Sequence, residues 1–107
     1  MESVSASKLA EWLKSDQPPK LLDVRQEYEY EVARLNDARL IPLPELPMRT
    51  AELADWKDAD VVVYCHHGVR SQMAIGVLRM AGFHKLHNLT GGIDAWSVEV
   101  DKAVARY

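Results

Sequence analysis

The run Val61-Val62-Val63-Tyr64 constrains this chain more than any other stretch. Three β-branched residues and one aromatic residue, apolar on both faces, suit a strand covered on both sides, as at the centre of a parallel sheet. The run passes directly into Cys65-His66-His67-Gly68-Val69-Arg70-Ser71. From Arg70 to Ala81, apolar residues recur at Met73, Ala74, Val77, Leu78 and Ala81, with Gly76 the one internal glycine and Gly82 a C-terminal stop, so a buried helix is expected. A buried strand joined to a buried helix by a short loop is the repeating unit of an α/β fold with right-handed crossovers.

The flanking sequence repeats that alternation. Ser5 is placed to cap a helix in which Leu9, Trp12 and Leu13 follow at helical spacing, with Val4 and Leu9 at staple positions and Pro18-Pro19 ending it. Leu21 to Val24 reads as a buried strand, Glu27 to Ala33 as a polar helix, and Leu40-Ile41 as a second short strand. Pro42, Pro44 and Pro47 each lack an N–H and fix φ, so residues 42–48 read as an irregular connection, with a short helix from about Arg49 to Trp56. Lys85 to Leu89 is a further strand, Thr90-Gly91-Gly92 a turn, Ile93 to Trp96 one helical turn, and Val100, Ala103 and Val104 the face of a last helix. The expected architecture is one α/β domain over residues 1–107, a mostly parallel sheet with helices on both faces. Its length leaves no room for a separate substrate domain.

Composition narrows the function. A net charge of −3 without a block of like charges removes the footprint of non-specific nucleic-acid binding, and no apolar stretch approaches the length of a membrane span. Met1-Glu2-Ser3-Val4-Ser5 has no basic region followed by an apolar one, so a cytoplasmic location is the expectation. The single cysteine, Cys65, has no partner for an internal disulfide and lies beside two histidines and an arginine, which makes it a candidate nucleophile. Sites in parallel sheets lie at the carboxyl ends of strands, where Cys65 falls. So short a loop must curl, and curled N–H groups at a helix N-terminus form an anion nest that favours thiolate over thiol. Gly68 permits a backbone angle that other residues resist, and Arg70 adds fixed positive charge.

The pattern Cys-x-x-Gly-x-Arg-Ser at Cys65 to Ser71 resembles the active loop of the rhodanese-homology domains. Leu22-Asp23-Val24-Arg25 with Glu31 downstream, Ile41-Pro42-Leu43 and Leu89-Thr90-Gly91-Gly92-Ile93-Asp94-Ala95-Trp96 extend the resemblance over nearly the whole chain. It implies a three-layer fold with a five-stranded, mostly parallel sheet. It also implies a sulfurtransferase in which Cys65 takes sulfane sulfur from thiosulfate or a persulfide and passes it to cyanide or a thiol through a Cys65 persulfide, with no cofactor. The N–H groups of the loop formed by His66, His67, Gly68, Val69, Arg70 and Ser71 would hold the anionic terminal sulfur. A sulfur-relay protein is a further partner of such a chain. One segment departs from the family: Ala33-Arg34-Leu35-Asn36-Asp37-Ala38 stands where many members read Gly-His-Ile-x-Gly-Ala, a change that spares the nucleophile. Thiosulfate-using members often carry more basic residues in the loop, whereas here Arg70 is the only permanent cation, which suits a persulfide donor.

Other roles stay open at this level. Asp23 either orients the loop or Arg70, or makes structural hydrogen bonds, and Arg25 either binds an anionic donor or pairs with Glu31. His66 and His67 either tune the nucleophile and touch substrate, or fill loop positions through their backbone. Cys65 with the two histidines makes a poor zinc site, because adjacent ligands in one tight loop cannot approach tetrahedral geometry and no fourth ligand is evident. The rival readings are a non-catalytic binding or regulatory module and a cysteine phosphatase or arsenate reductase of the same fold. Those phosphatases place five residues between Cys and Arg; here four intervene, and the smaller ring suits sulfur better than a tetrahedral phosphate.

Overall fold

The computed structural model describes residues 2–107. Five parallel strands form one sheet: β1 (Glu2–Val4), β2 (Lys20–Asp23), β3 (Arg39–Leu40), β4 (Val61–Tyr64) and β5 (Leu86–Leu89), in the order β1-β5-β4-β2-β3. β4 is the middle strand, as its apolar run requires, and all four of its residues are buried. Side chains alternate across it. Val61, Val63 and Cys65 face one layer with Leu22, Ile41, Leu46, Ala74, Ile75 and Leu78, while Val62 and Tyr64 face the other with Ala6, Leu9, Leu21, Leu89 and Ile93. Helices therefore cover both faces: α3 (Leu46–Arg49) and α4 (Arg70–Met80) on the first, α1 (Ala6–Leu13) and α5 (Gly92–Glu99) on the second. α2 (Glu27–Val32) follows β2 at the carboxyl edge of the sheet.

Local signals act as expected at several ends. The Ser5 hydroxyl accepts from the Lys8 N–H at 3.2 Å and caps α1. Gly82, with φ +99°, takes the left-handed angle that follows α4.

The structure also corrects the sequence reading. Glu2–Val4, which carries no strand pattern, pairs with His87–Leu89 and supplies the fifth strand. Residues 43–45 form a 3-10 turn that runs into α3, and residues 50–56 continue as 3-10, so the proline-rich stretch is wound rather than irregular. Proline at the first turn of a helix forfeits no intrahelical hydrogen bond. α5 runs for two turns instead of one, while Val100, Ala103 and Val104 lie in turns and not on a last helix. Met73 faces solvent; the buried stripe of α4 is Ser71, Ala74, Ile75 and Leu78.

The parallel register does the positioning. It sets Asp23 beside Tyr64 and Asn88 beside Val63, so the carboxyl ends of β2 and β5 flank the residue that follows β4. That residue is Cys65.

Candidate active site

Cys65 is 1% exposed and its sulfur lies inside the loop that follows it. Cys65 Sγ accepts from the Gly68 N–H at 3.1 Å and from the Ser71 N–H at 3.4 Å, and its thiol donates to Ser71 Oγ at 3.5 Å. Two inward N–H groups at the start of α4, on the positive end of its dipole, are the nest that the loop length implied. Gly68 sits at φ +107°, and this left-handed angle turns the loop so that its N–H meets the sulfur.

Neighbouring segments fix the loop from outside. The Ile93 and Asp94 N–H groups donate to the Cys65 and His66 carbonyls at 2.9 and 3.1 Å. The loop carbonyls are thereby engaged by the first turn of α5 while the N–H groups of Gly68 and Ser71 stay directed at Sγ. Gly92 makes the approach possible: a Cβ there would stand 2.5 Å from the Cys65 carbonyl oxygen and closer still to that of His66. Asn88 on β5 ties both ends of the loop, accepting from the Ser71 hydroxyl through Oδ1 and donating from Nδ2 to the Gly68 carbonyl at 3.4 Å.

Charge is arranged in a chain behind the loop. Arg70 points to Glu29, making a bidentate pair at 2.6 and 2.9 Å. Glu29, buried at the start of α2, also accepts from the Gln26 N–H at 3.0 Å and the Tyr107 hydroxyl at 2.8 Å. Its four acceptor positions are thus filled. The hydrogen bonds from Arg70, then those from Gln26 and Tyr107, outweigh burial and hold the Glu29 carboxyl at about 2. The Arg70 guanidinium is correspondingly held above its ordinary value by Glu29.

Asp23 and Arg25 form a buried pair: Arg25 Nε and Nη2 donate to Asp23 at 2.9 and 2.7 Å. Arg25 Nη2 also reaches the Ala33 carbonyl at 2.6 Å, and Nη1 reaches the Glu29 carbonyl at 3.3 Å and the Tyr107 hydroxyl at 2.7 Å. Burial opposes its charge, but the hydrogen bonds and charge of Asp23 prevail and raise it. The partner of Arg25 is Asp23, not Glu31, and Asp23 is not bonded to Arg70. The segment that departs from the family pattern is held by the same groups, since Ala33 accepts from Arg25 and the Leu35 N–H donates to the Tyr64 hydroxyl at 3.2 Å.

The histidines differ. His66 is sandwiched between His67, with centroids 4.0 Å apart, and Tyr107, at 3.9 Å and an interplanar angle of 7°. Burial, followed by the neighbouring His67, holds its imidazole below the usual value, and Nε2 is buried without a hydrogen-bond partner among the described residues. His67 is exposed, 4.0 Å from Asp94, and Val69 is exposed on the rim. The structure therefore brings Cys65, Gly68 and Ser71 together at one sulfur, turns Arg70 to Glu29, and joins Asp23 to Arg25 in a separate buried pair. Glu29, Asn88 and Tyr107 went unnoticed in the sequence. Glu29 and Asn88 bond to the loop across 41 and 17 positions and Tyr107 stacks on His66 from the far end of the chain, and only the tandem glycines after β5 signalled that its end approaches the site.

Comparison with known proteins agrees with this geometry. Residues 5–99 match the rhodanese-like domain family. A sulfurtransferase from Allochromatium vinosum is 33% identical over 91% of this chain and 89% of its own length. A probable adenylyltransferase/sulfurtransferase from Mycobacterium tuberculosis is 30% identical over 98% of this chain, which spans only 27% of that longer protein. The crystal structure of a rhodanese-like domain protein from Staphylococcus aureus superposes with a TM-score of 0.82 at 27% identity, covering 100% of this chain and 99% of that one.

Proposed function

The chain belongs to the rhodanese-like domain family, which includes sulfurtransferases, and from that premise we propose that it transfers sulfane sulfur through a persulfide on Cys65. The observation that carries the reading is the pair of backbone N–H groups, from Gly68 and Ser71, that meet Cys65 Sγ at the N-terminus of α4. In the first step the Cys65 thiolate attacks the outer sulfur of a donor R–S–SH. A new S–S bond forms to Cys65, the donor's S–S bond breaks, and R–S⁻ leaves with the proton of the transferred sulfur. Cys65 then carries an anionic terminal sulfur, for which inward N–H groups serve as an oxyanion hole serves oxygen. In the second step an acceptor thiolate attacks that terminal sulfur, the Cys65 thiolate departs, and the acceptor becomes the persulfide. No net oxidation occurs, and one difficult transfer is divided into two displacements.

The charge pattern favours a persulfide, on a protein or a small thiol, over thiosulfate as the donor. The dianionic thiosulfate is helped by unpaired cations, whereas Arg70 is engaged by Glu29 and Arg25 by Asp23 and Tyr107. Burial and then His67 hold the His66 imidazole below its usual value, which disfavours its cationic form. Steady-state rates with donor and acceptor varied together test the proposal. Parallel double-reciprocal lines, with a higher kcat/KM for a small-thiol persulfide than for thiosulfate and no turnover by Cys65→Ser, are expected. Intersecting lines, or turnover that survives Cys65→Ser, would overturn it.

A further inference from the structure

Residues 101–107 turn back along α5, and Tyr107 reaches the active loop. They are held by Ser97 Oγ donating to the Val104 carbonyl at 2.5 Å, by the Arg106 pair with Asp94 at 2.9 Å, and by the hydrogen bonds and ring stacking of Tyr107. Tyr107 spans the loop. Its ring lies flat on His66, the residue after the nucleophile, and its hydroxyl donates to Glu29, which holds Arg70 at the loop's other end. The hydroxyl is itself fixed by Arg25, so the ring has little freedom to rotate away. Tyr107 is 40% exposed and lies against the residue that follows a nucleophile only 1% exposed. The unpartnered Nε2 of His66, buried beside it, shows how closely water is excluded there.

We propose that Tyr107 is a specificity-determining residue of this site: as a wall across the loop it limits the bulk of the molecule that can bring its sulfur to Cys65. Small or linear groups pass the rim at Val69 and His67. A donor with a broad group beside its outer sulfur meets the phenol ring. Ring and hydroxyl have separable parts, since the stacked ring makes the wall and the hydroxyl, between Arg25 and Glu29, holds it in place.

This inference rests on the sulfur-transfer reading for its biological meaning, but its test does not. The rates at which Cys65 is alkylated by iodoacetamide and by a bulky aryl maleimide are measured in the wild type, Tyr107→Phe and Tyr107→Ala, with melting curves confirming the fold. The ratio of maleimide to iodoacetamide rates is expected to rise about tenfold in Tyr107→Ala and by less in Tyr107→Phe, which keeps the ring stacked on His66 but loses the hydroxyl's hold. A general loosening would speed both reagents alike and leave the ratio unmoved. Tyr107→Leu, which removes the flat ring while keeping apolar bulk, is measured alongside and is expected to shift the ratio in the same direction if the alanine variant fails to fold. An unchanged ratio in whichever truncated variant folds overturns the proposal. A ratio that rises in a protein that never accepts sulfur on Cys65 would instead retain the wall and remove the sulfurtransferase.

Discussion

Replacing Gly92 by alanine is expected to destabilise the protein by about 3 kcal/mol, since the new methyl meets two backbone carbonyls that cannot rotate away and φ is positive. Urea denaturation checks this, and a variant as stable as wild type would contradict the close packing of α5 on the loop. Glu29 offers a pH test. Its carboxyl sits at about 2 in the fold against an ordinary value of 4.5, so its pairing stabilises the native state fully above about pH 4.5 and the contribution is lost as pH falls toward 2. Discounted for the partial exposure of Arg70, Glu29→Gln should cost about 2 kcal/mol at pH 7. The gap from wild type should narrow below about pH 4.5 and close as pH approaches about 2; a gap independent of pH would show that the charge pairing is not what matters. The loop motif put Cys65, Gly68, Arg70 and Ser71 in one short segment, and the contacts of Gly68 and Ser71 with Cys65 were legible because they are local. Glu29, Asn88 and Tyr107 were not legible, because nothing in a pattern of residue types says which carboxylate or phenol the fold will bring across the sheet.

Among the elements, β5 carries the site as much as β4 does. Asn88→Ala leaves the Ser71 hydroxyl and the Gly68 carbonyl without their buried partner, a loss of about 1–3 kcal/mol. It should also slow sulfur loading on Cys65 relative to the folded fraction, as read by a stopped time course; unchanged loading would remove Asn88 from the support of the loop. The strongest strand and the helix after it were legible because every position of Val61–Tyr64 agrees with a doubly covered strand. Glu2–Val4 was not, since three residues, two of them exposed and none buried, become a strand only through their pairing with β5. The expected last helix failed for a related reason: Val100, Ala103 and Val104 share a helical spacing, yet the Asp101 side chain accepts from the Ala103 N–H at 3.0 Å and turns the chain instead. Amide exchange should therefore be slowest in β4 and β5 and fastest in β1 and residues 101–107.

At the scale of the molecule, the parallel order β1-β5-β4-β2-β3 brings three carboxyl ends to one edge, and the two-sided core holds that edge in register. The α/β class was readable from the alternation of strands and helices, whereas the strand order was not, because crossover partners are chosen by packing between distant segments. Intact mass after exposure to a small-thiol persulfide, and then to excess cyanide, tests the central claim most directly. Wild type should gain one sulfur atom and lose it to cyanide, while Cys65→Ser gains none. Wild-type protein that is folded, with a free thiol, and gains no sulfur would contradict the account.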